Sequence, residues 1–297
     1  MKILLFGKNG QLGWELQRSL IPLGELIALD RTSQVYCGDL ADLAGTAHTI
    51  QTISPDIIVN AAAYTAVDRA ESEPERAHRI NTEAPAIMAQ EAQRIGAWMV
   101  HYSTDYVFDG SGNQPWHESD SPAPLNVYGK TKLQGEEAIR QSGCQHLIFR
   151  TSWVYAARGN NFAKTMLRLG QERDSLSVID DQLGAPTGAD LLADMTAHAI
   201  QQARGQPEVS GLYHLVADGA VSWYDYARFV LDFARNRCTI KAHPDAILPV
   251  PSLAFTTAAK RPLNSRLSTE KFRSTFGLCI PHWETGVCRM LTEVLEK

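Results

Sequence analysis

The sequence lacks long hydrophobic runs, paired cysteines and any excess of positive charge. No stretch approaches the roughly 18 apolar residues that a membrane-spanning helix needs, and no charged and then apolar signal segment opens the chain. We therefore expect a cytoplasmic protein with no membrane partner. Its five cysteines form neither a C-x-x-C pair nor a metal-binding spacing, which is typical of reduced thiols.

The charge balance excludes a further class of partner. With 28 basic and 33 acidic residues the formal net charge is −5, whereas a nucleic-acid-binding domain is expected to carry a basic surface. The sequence contains no internal repeat and no low-complexity tract. A chain of 297 residues with 44% hydrophobic content can bury a full core, and its length predicts two lobes.

What the sequence does contain begins with a strand, a glycine loop and a helix. Residues 2–6 form a short apolar run typical of a buried parallel strand, and residues 14–20 have helical periodicity. A glycine loop between them predicts a phosphate site at the helix N-terminus. The spacing is G-x-x-G-x-x-G rather than G-x-G-x-x-G, so a glycine-rich turn without a ligand is the alternative. The predicted coenzyme contacts in this loop are Gly7, Gly10, Gln11, Leu12 and Gly13.

An acidic residue follows the second apolar run, residues 26–29. Asp30 suits the two hydroxyl groups of an adenosine ribose, a little over twenty residues after the first glycine. Arg31 beside it and Lys8 in the glycine loop would instead tolerate a 2′-phosphate. The sequence therefore predicts a coenzyme, NADH or NADPH, without ranking the two.

Further candidates lie where later apolar runs end. A third short run precedes residue 39, a fourth strand covers residues 56–63, and a fifth covers residues 98–105. Ligands of open α/β sheets bind at the carboxyl ends of strands, so these positions are expected to converge. An aspartate at position 39 could also be an ordinary turn residue. The remaining coenzyme candidates are Asp39, Leu40, Ala63, Tyr64, Thr65 and Tyr102.

A tyrosine and a lysine are spaced for proton transfer. Tyr128 and Lys132 are four residues apart, so they share one face of a helix. A nearby ammonium lowers the pKa of a phenol from about 10, as a proton donor near neutral pH requires. Thr104, at the end of the fifth strand, would hydrogen-bond the reacting oxygen. The alternatives are a surface Tyr/Lys pair and a threonine that caps a turn.

Four stretches together identify a family. Residues 7–13, 103–109, 126–136 and 150–155 resemble the extended short-chain dehydrogenase/reductase superfamily and, within it, the dTDP-4-dehydrorhamnose reductase family. The resemblance spans essentially the whole chain. It implies an α/β fold with a Rossmann-type doubly wound parallel sheet and a smaller α/β C-terminal substrate lobe. Residues 1–155 would bind the dinucleotide, with later segments returning to that domain, and residues 156–297 would mainly bind substrate.

The resemblance also implies a reaction. NADPH or NADH would reduce the C4 keto group of dTDP-4-dehydro-β-L-rhamnose to dTDP-L-rhamnose, the last step of dTDP-rhamnose synthesis. Tyr128 would donate the proton, and Lys132 would lower its pKa and hold the nicotinamide ribose. The implied substrate contacts are Thr104, Asp105, Trp153, Arg261, Asn264 and Arg266. For the tryptophan the alternative is a core role, and for Arg261, Asn264 and Arg266 it is a solvated basic loop.

A metal and a homodimer are implied by the same resemblance. Some members of the family join two subunits through acidic residues that share Mg²⁺, and the matching positions are Glu15, Asp190 and Glu293. Carboxylates suit this hard cation. Asp190 is one methylene shorter than the glutamate expected there, and surface acids without a ligand are the alternative.

Two other functions remain open. A dehydratase is disfavoured because Thr104-Asp105 is followed by Tyr106, where a glutamate is usual. A sugar-nucleotide epimerase that retains its NAD is harder to exclude. A non-catalytic regulatory subunit that binds nucleotide could lose catalytic residues, so the presence of Thr104, Tyr128 and Lys132 favours an enzyme.

Overall fold

A parallel sheet forms the centre of the molecule. The computed structural model describes residues 1–296; Lys297, the last residue of the predicted second lobe, lies outside the described residues. The strands are β1 Lys2–Phe6, β2 Glu25–Leu29, β3 Ile57–Asn60, β4 Trp98–Thr104, β5 His146–Thr151, β6 Val154–Tyr155, β7 Leu176–Ile179, β8 Leu183–Gly184, β9 Thr187–Gly188, β10 Gly211–His214, β11 Val221–Ser222 and β12 Ile247–Val250.

Helices cover both faces of this sheet. Within residues 1–296, no helix has both the length and the hydropathy needed to cross a bilayer. Short helical turns lie at Ile21–Leu23, Arg79–Glu83, Asp105–Val107, Pro207–Val209, Pro244–Ala246 and Ser252–Ala254. The helices are α1 Gln11–Leu20, α2 Leu43–Ile53, α3 Val67–Ser72, α4 Pro74–His78, α5 Ala84–Ile95, α6 Val127–Ser142, α7 Phe162–Glu172, α8 Ala189–Ala203, α9 Trp223–Arg235, α10 Glu270–Phe276 and α11 Trp283–Leu295.

The sheet has six parallel strands in the order β10-β5-β4-β3-β1-β2. Its central strands are apolar along their length because both faces are buried: Ile3–Phe6 and Ile57–Val59 are at most 1% exposed. One face packs against α1 and α8, and the other against α2, α5 and α6. The strand order reverses between β1 and β3, the position where doubly wound sheets bind ligands. The predicted fold class is confirmed.

The second half of the chain contributes to two cores. Strand β10 joins the edge of the main sheet beside β5, and α8 packs on α1. Helices α7, α9 and α11 instead surround a separate hydrophobic cluster that includes Tyr226 and Trp283. Three two-stranded pairs, β11-β8, β12-β7 and β6-β9, complete that smaller lobe.

Two elements differ from the sequence-based expectation. The run before Asp39 forms no strand, because the chain turns there and Val35 is 85% exposed. The strand predicted to reach residue 63 ends at Asn60, whose side chain accepts a hydrogen bond from the Ala62 N–H as the backbone leaves the sheet.

Candidate active site

The glycine loop has no room for side chains at two positions. Gly7 has φ of 90°, and a Cβ there would lie 2.8 Å from the backbone nitrogen of Ala62. A Cβ on Gly13 would overlap the carbonyl oxygen of Gly7. Strand β1, the chain after β3 and the N-terminus of α1 therefore converge closely. Helix α1 begins at Gln11, so its first free N–H groups face this junction, as a pyrophosphate requires.

Asp30 lies beside this loop, at the end of β2. Its Oδ1 accepts hydrogen bonds from the Thr32 N–H and hydroxyl, both at 2.8 Å, and its Oδ2 contacts Asn9 Nδ2 and lies 3.8 Å from Lys8 Nζ. These hydrogen bonds, that of the Thr32 hydroxyl first, lower the pKa of Asp30. Arg31 is exposed next to it. The carboxylate of Asp30, predicted to bind the ribose, thus lies next to the cations Lys8 and Arg31.

Three predicted coenzyme residues make side-chain contacts within the protein. Asp39 accepts a hydrogen bond from the Ala41 N–H at 3.0 Å, the turn role that was the alternative. Leu40 is 4% exposed in the core beneath α2. The Tyr102 hydroxyl pairs with Thr196 on the opposite face of the sheet at 2.7 Å, and only its carbonyl meets Lys132.

The segment after β3 is held rigidly by one asparagine. Asn81 accepts from the Tyr64 N–H at 2.8 Å and donates to the Tyr64 carbonyl at 3.1 Å and to Thr131 of α6 at 3.2 Å. Ala63, Tyr64 and Thr65 therefore lie between the glycine loop and the helix that carries the proton-transfer pair.

The predicted catalytic hydroxyls lie close together at the end of β4. Tyr128 is in the first turn of α6, near enough to the Thr104 hydroxyl for that group to act on the pKa of its phenol. Thr104 also donates to Asp105 at 3.1 Å and accepts from the Tyr106 N–H, so it caps the following turn as well. Asp105 is 3% exposed, and burial raises its pKa to about 7. Its Oδ2 has no hydrogen-bond partner.

The structure corrects the expectation that Lys132 lowers the pKa of Tyr128. Burial raises the pKa of Tyr128 to about 12, the nearby Thr104 hydroxyl acts to lower it, and the charge of Asp105 acts to raise it. Lys132 does not act on Tyr128 here because its Nζ is bound to the Tyr102 carbonyl at 2.6 Å and lies 3.0 Å from His101 Nε2. Burial in turn lowers the pKa of Lys132 to about 8.

Trp153 occupies an unusual backbone position beyond β5. Its φ of 49° lies in the left-handed region, which a bulky residue adopts only under constraint. Its ring stacks on Trp223 with centroids 3.4 Å apart, and the glycine at position 184 leaves space for it. Trp223 in turn donates to Gln182 at 3.2 Å. The tryptophan pair forms part of a wall between the sheet and the smaller lobe.

A cavity of about 1140 Å³ opens beside this wall. It is lined by Tyr106, Trp223 and Arg261 among others, and is large enough for a sugar nucleotide. The Tyr106 ring packs edge-on against Tyr128 with centroids 5.7 Å apart, which connects the cavity to the proton-transfer pair. Arg261 forms a bidentate pair with Asp68 of α3, at 2.6 and 3.2 Å.

Asn264 and Arg266 lie on either side of Ser265, whose hydroxyl is near enough to Asp105 to lower its pKa. Asn264 is 3% exposed and donates to the carbonyls of Ser111 and Gln114, while its Oδ1 accepts from Arg266 Nε at 2.8 Å. Neither residue lines the large cavity, and the contacts of Asn264 hold the 111–116 loop.

The three predicted metal ligands meet in one small cavity but form no metal site. Glu15, Asp190 and Glu293 line a space of about 50 Å³. Asp190 pairs with Arg289 at 2.8 Å, and Glu15 with Arg18 at 3.5 Å. Among residues 1–296, no group of three or more metal-ligating side chains could hold an ion. The guanidinium groups of Arg18 and Arg289 neutralise the carboxylates of Glu15 and Asp190, as a bound cation otherwise would.

Some residues of the candidate site were not predicted from the sequence. Asn60, His101 and Asp68 sit behind or beside the candidates and carry no local motif. Trp223 and Gln182 come from the less patterned second half. Only Tyr106 had a signal, because it directly follows Asp105 in the family-like stretch.

Comparisons with known proteins agree with this geometry. The family model described as the RmlD substrate binding domain matches residues 1–296. The dTDP-4-dehydrorhamnose reductase of Escherichia coli strain K12 is 60% identical over 294 residues, which cover 99% of this chain and 98% of that protein.

Two crystal structures are similar over the whole fold. A dTDP-4-dehydrorhamnose reductase of Clostridium acetobutylicum is 33% identical with a TM-score of 0.89, covering 100% of both chains. The Bacillus anthracis enzyme, in complex with NADP, is 36% identical with a TM-score of 0.88, covering 98% of this chain and 99% of that one.

Proposed function

Because the chain belongs to the dTDP-4-dehydrorhamnose reductase family, we propose that it is an NAD(P)H-dependent oxidoreductase that reduces the C4 keto group of dTDP-4-dehydro-β-L-rhamnose, yielding dTDP-L-rhamnose. One observation in the chain itself carries this function. The Thr104 hydroxyl lies near enough to the Tyr128 phenol to act on its pKa, and Tyr106, whose ring packs on Tyr128, lines the large cavity.

The residues present suit a bound dinucleotide. Gly7 and Gly13 leave a cradle that a Cβ would fill, at the N-terminus of α1. Asp30 would meet the adenosine ribose, and Ala63 to Thr65 would approach the nicotinamide half. We propose that both coenzymes are accepted, with Lys8 and Arg31 admitting the 2′-phosphate of NADPH. The bound coenzyme supplies the hydride.

Proton transfer falls to the residues of α6 and β4. Tyr128 would give its hydroxyl proton to the C4 oxygen as that oxygen gains charge. Burial keeps the phenol protonated at neutral pH, so Tyr128 starts the reaction as an acid. Thr104 would hold the same oxygen as a second hydroxyl donor. Lys132 would hold the nicotinamide ribose, as the family implies.

The cavity would hold the rest of the substrate. Asp105, with an unpartnered buried oxygen, would accept a hydrogen bond from a sugar hydroxyl. Trp153 would pack on the sugar ring, and Arg261 would pair with the diphosphate. Residues 1–155 would then form the coenzyme lobe and residues 156–297 mainly the substrate lobe, with β10 returning to the first sheet.

We also propose a homodimer in the cytoplasm. The cysteines are all free thiols, which suits a reducing compartment. Trp14 of α1 is 46% exposed beside Glu15, on a surface that a second subunit could cover. A Mg²⁺ ion shared between subunits does not fit the residues as placed, because Arg289 already pairs with Asp190. We therefore include no metal.

The test measures coenzyme oxidation by absorbance with dTDP-4-dehydro-L-rhamnose, using NADH and NADPH in parallel. We expect one coenzyme oxidised per substrate, and a loss of about 10²–10⁴-fold in kcat for Tyr128→Phe with coenzyme binding retained. Tyr106→Phe is the matched control, since it removes a neighbouring hydroxyl. Coenzyme binding without net oxidation would favour an epimerase or a regulatory subunit instead.

A further inference from the structure

Behind Lys132 lies a buried row of polar groups that the proposed steps do not use. Lys132, His101 and Asn60 are each 1% exposed. Lys132 Nζ lies 3.0 Å from His101 Nε2, and His101 Nδ1 lies 3.2 Å from Asn60 Nδ2. Asn60 at the end of β3 is directly opposite His101 in β4. The row thus runs from the chain beside the glycine loop to the predicted proton-transfer helix.

The orientation of the Asn60 amide is set by its backbone neighbour. The Ala62 N–H donates to Asn60 Oδ1 at 3.1 Å. This partly buried N–H favours the amide oxygen on that side, and the NH₂ group then faces His101. An amide NH₂ only donates. His101 Nδ1 therefore accepts, and a neutral imidazole then carries its proton on Nε2.

That tautomer has a consequence for Lys132. The Nε2–H of His101 points at Nζ, but an ammonium group has three donors and no acceptor. Charged Lys132 therefore faces a second donor, whereas its neutral amine offers a lone pair. Burial acts in the same direction on Lys132, lowering its pKa to about 8. Burial and then the charge of Lys132 hold the pKa of His101 well below its ordinary value, so the imidazole is neutral.

Resting on the reductase function above, we propose that Asn60 and His101 are positioning residues that fix the imidazole tautomer and so favour the neutral amine of Lys132. When an N–H bond of the Lys132 ammonium breaks, the proton passes to water and the electron pair left on Nζ accepts the Nε2–H of His101. When water returns the proton, this hydrogen bond is lost and the ammonium again faces a donor.

Other charged groups around Lys132 do not replace this pair. Glu136, one turn later on α6, favours the ammonium, but it is itself paired with Arg150 of β5 at 2.7 Å. Tyr128 and Asp105 lie on the substrate side. The titratable groups of the helices packed on α6 contact other residues of that helix. Glu71 of α3 accepts from the Val127 N–H, and His78 of α4 contacts Gln134.

The tautomer can be read without any assay of activity. Two-bond ¹⁵N–¹H correlation spectra of the full-length protein distinguish Nε2–H from Nδ1–H imidazoles, and His101→Gln assigns the signal. His214 is an internal reference, since its Nδ1 lies 3.0 Å from the Trp116 carbonyl and must carry the proton. We expect Nε2–H for His101 and Nδ1–H for His214. An Nδ1–H signal for His101 would overturn the inference.

Asn60→Asp reverses the tautomer, because a carboxylate at this position accepts from Nδ1–H and leaves Nε2 free to accept from an ammonium. The alkaline limb of the single-turnover pH profile should then move up by at least about 1 pH unit. Phenylalanine at position 101 has no ring nitrogen to connect residue 60 with Lys132. In the His101→Phe variant, Asn60→Asp should therefore shift the alkaline limb much less. An unmoved limb, or an equal shift with and without His101, would overturn the inference. Absence of reductase activity would instead refute the proposed function, while the tautomer remains measurable.

Discussion

At the scale of single residues, Asp105 combines deep burial with an incomplete set of hydrogen bonds. Burial raises the pKa of its carboxyl group to about 7, although the nearby hydroxyls of Ser265 and Thr104 lower it. The folded state therefore binds this proton more tightly than the unfolded chain. The associated stability is fully present below the unfolded pKa near 3.8 and is lost as the pH rises through about 7.

Asp105→Asn removes this titration with little change in shape. We expect the variant to gain stability relative to the wild type between pH 5 and pH 8, by a few kcal/mol at most, since one unit of pKa shift is about 1.36 kcal/mol. Urea unfolding at both pH values measures the difference. Asp109→Asn is the control, because the pKa of Asp109 is lowered and its effect should be flat over this range. An equal effect of Asp105→Asn at both pH values would contradict a raised pKa.

Lys8 should decide how well the 2′-phosphate is accepted. Its Nζ lies 3.8 Å from Asp30 Oδ2, at the proposed ribose position. Lys8→Gln is expected to lower kcat/KM for NADPH about tenfold or more, because a charge-assisted hydrogen bond is lost, and to leave NADH nearly unchanged. Arg18→Gln, on α1 but paired with Asp194, serves as control. An equal loss with both coenzymes would place Lys8 at a shared phosphate instead.

At the scale of elements, the junction of β1 and α1 depends on backbone contact. The carbonyl oxygen of Gly7 accepts from the Gly10 N–H at 3.0 Å and also occupies the position that a Gly13 side chain would need. A Cβ on Gly10 would lie 3.4 Å from the same oxygen, and its φ of −70° suits any residue. Two glycines in one loop therefore differ in what they tolerate.

Gly13→Ala and Gly10→Ala make a matched pair. Without coenzyme, we expect Gly13→Ala to lower the free energy of unfolding by roughly 1–3 kcal/mol through overpacking, and Gly10→Ala to change it by less than about 1 kcal/mol. Chemical denaturation measures both. Coenzyme titration then tests Gly10 separately, since a methyl group there would face the pyrophosphate. Equal destabilisation by the two variants would show that close packing at position 13 is unimportant.

At the scale of the whole molecule, the α1 surface is the candidate for subunit contact. Arg158 stacks its guanidinium on the exposed Trp14 ring at 3.9 Å, and exposed tryptophan and arginine are typical of the centres of interfaces. We expect light scattering to give twice the 32.8 kDa subunit mass. Trp14→Lys should yield monomer at low micromolar concentration, whereas Val35→Lys, at another exposed apolar residue, should not. A monomeric wild type would refute the proposed homodimer.

Local patterns made much of the fold and part of the site predictable. The strand, glycine loop and helix at residues 2–20 form as expected because each depends on neighbours within a few positions. Tyr128 lies near Thr104 because α6 begins close to the carboxyl end of β4, where its Tyr128 ring packs on Tyr106. The apolar run before Asp39 did not form a strand, because its residues have no partner in the sheet.

By itself the sequence determined the family and the fold class, and it predicted which hydroxyls react, because all three rest on short contiguous motifs. Only the tertiary structure decided which groups those residues face. Lys132 meets His101 across 31 positions and Arg261 meets Asp68 across 193, and such pairs leave no local pattern. The pKa values of Tyr128, Lys132 and Asp105 were likewise decided by burial, because the loss of water around a charge depends on the whole packed surroundings.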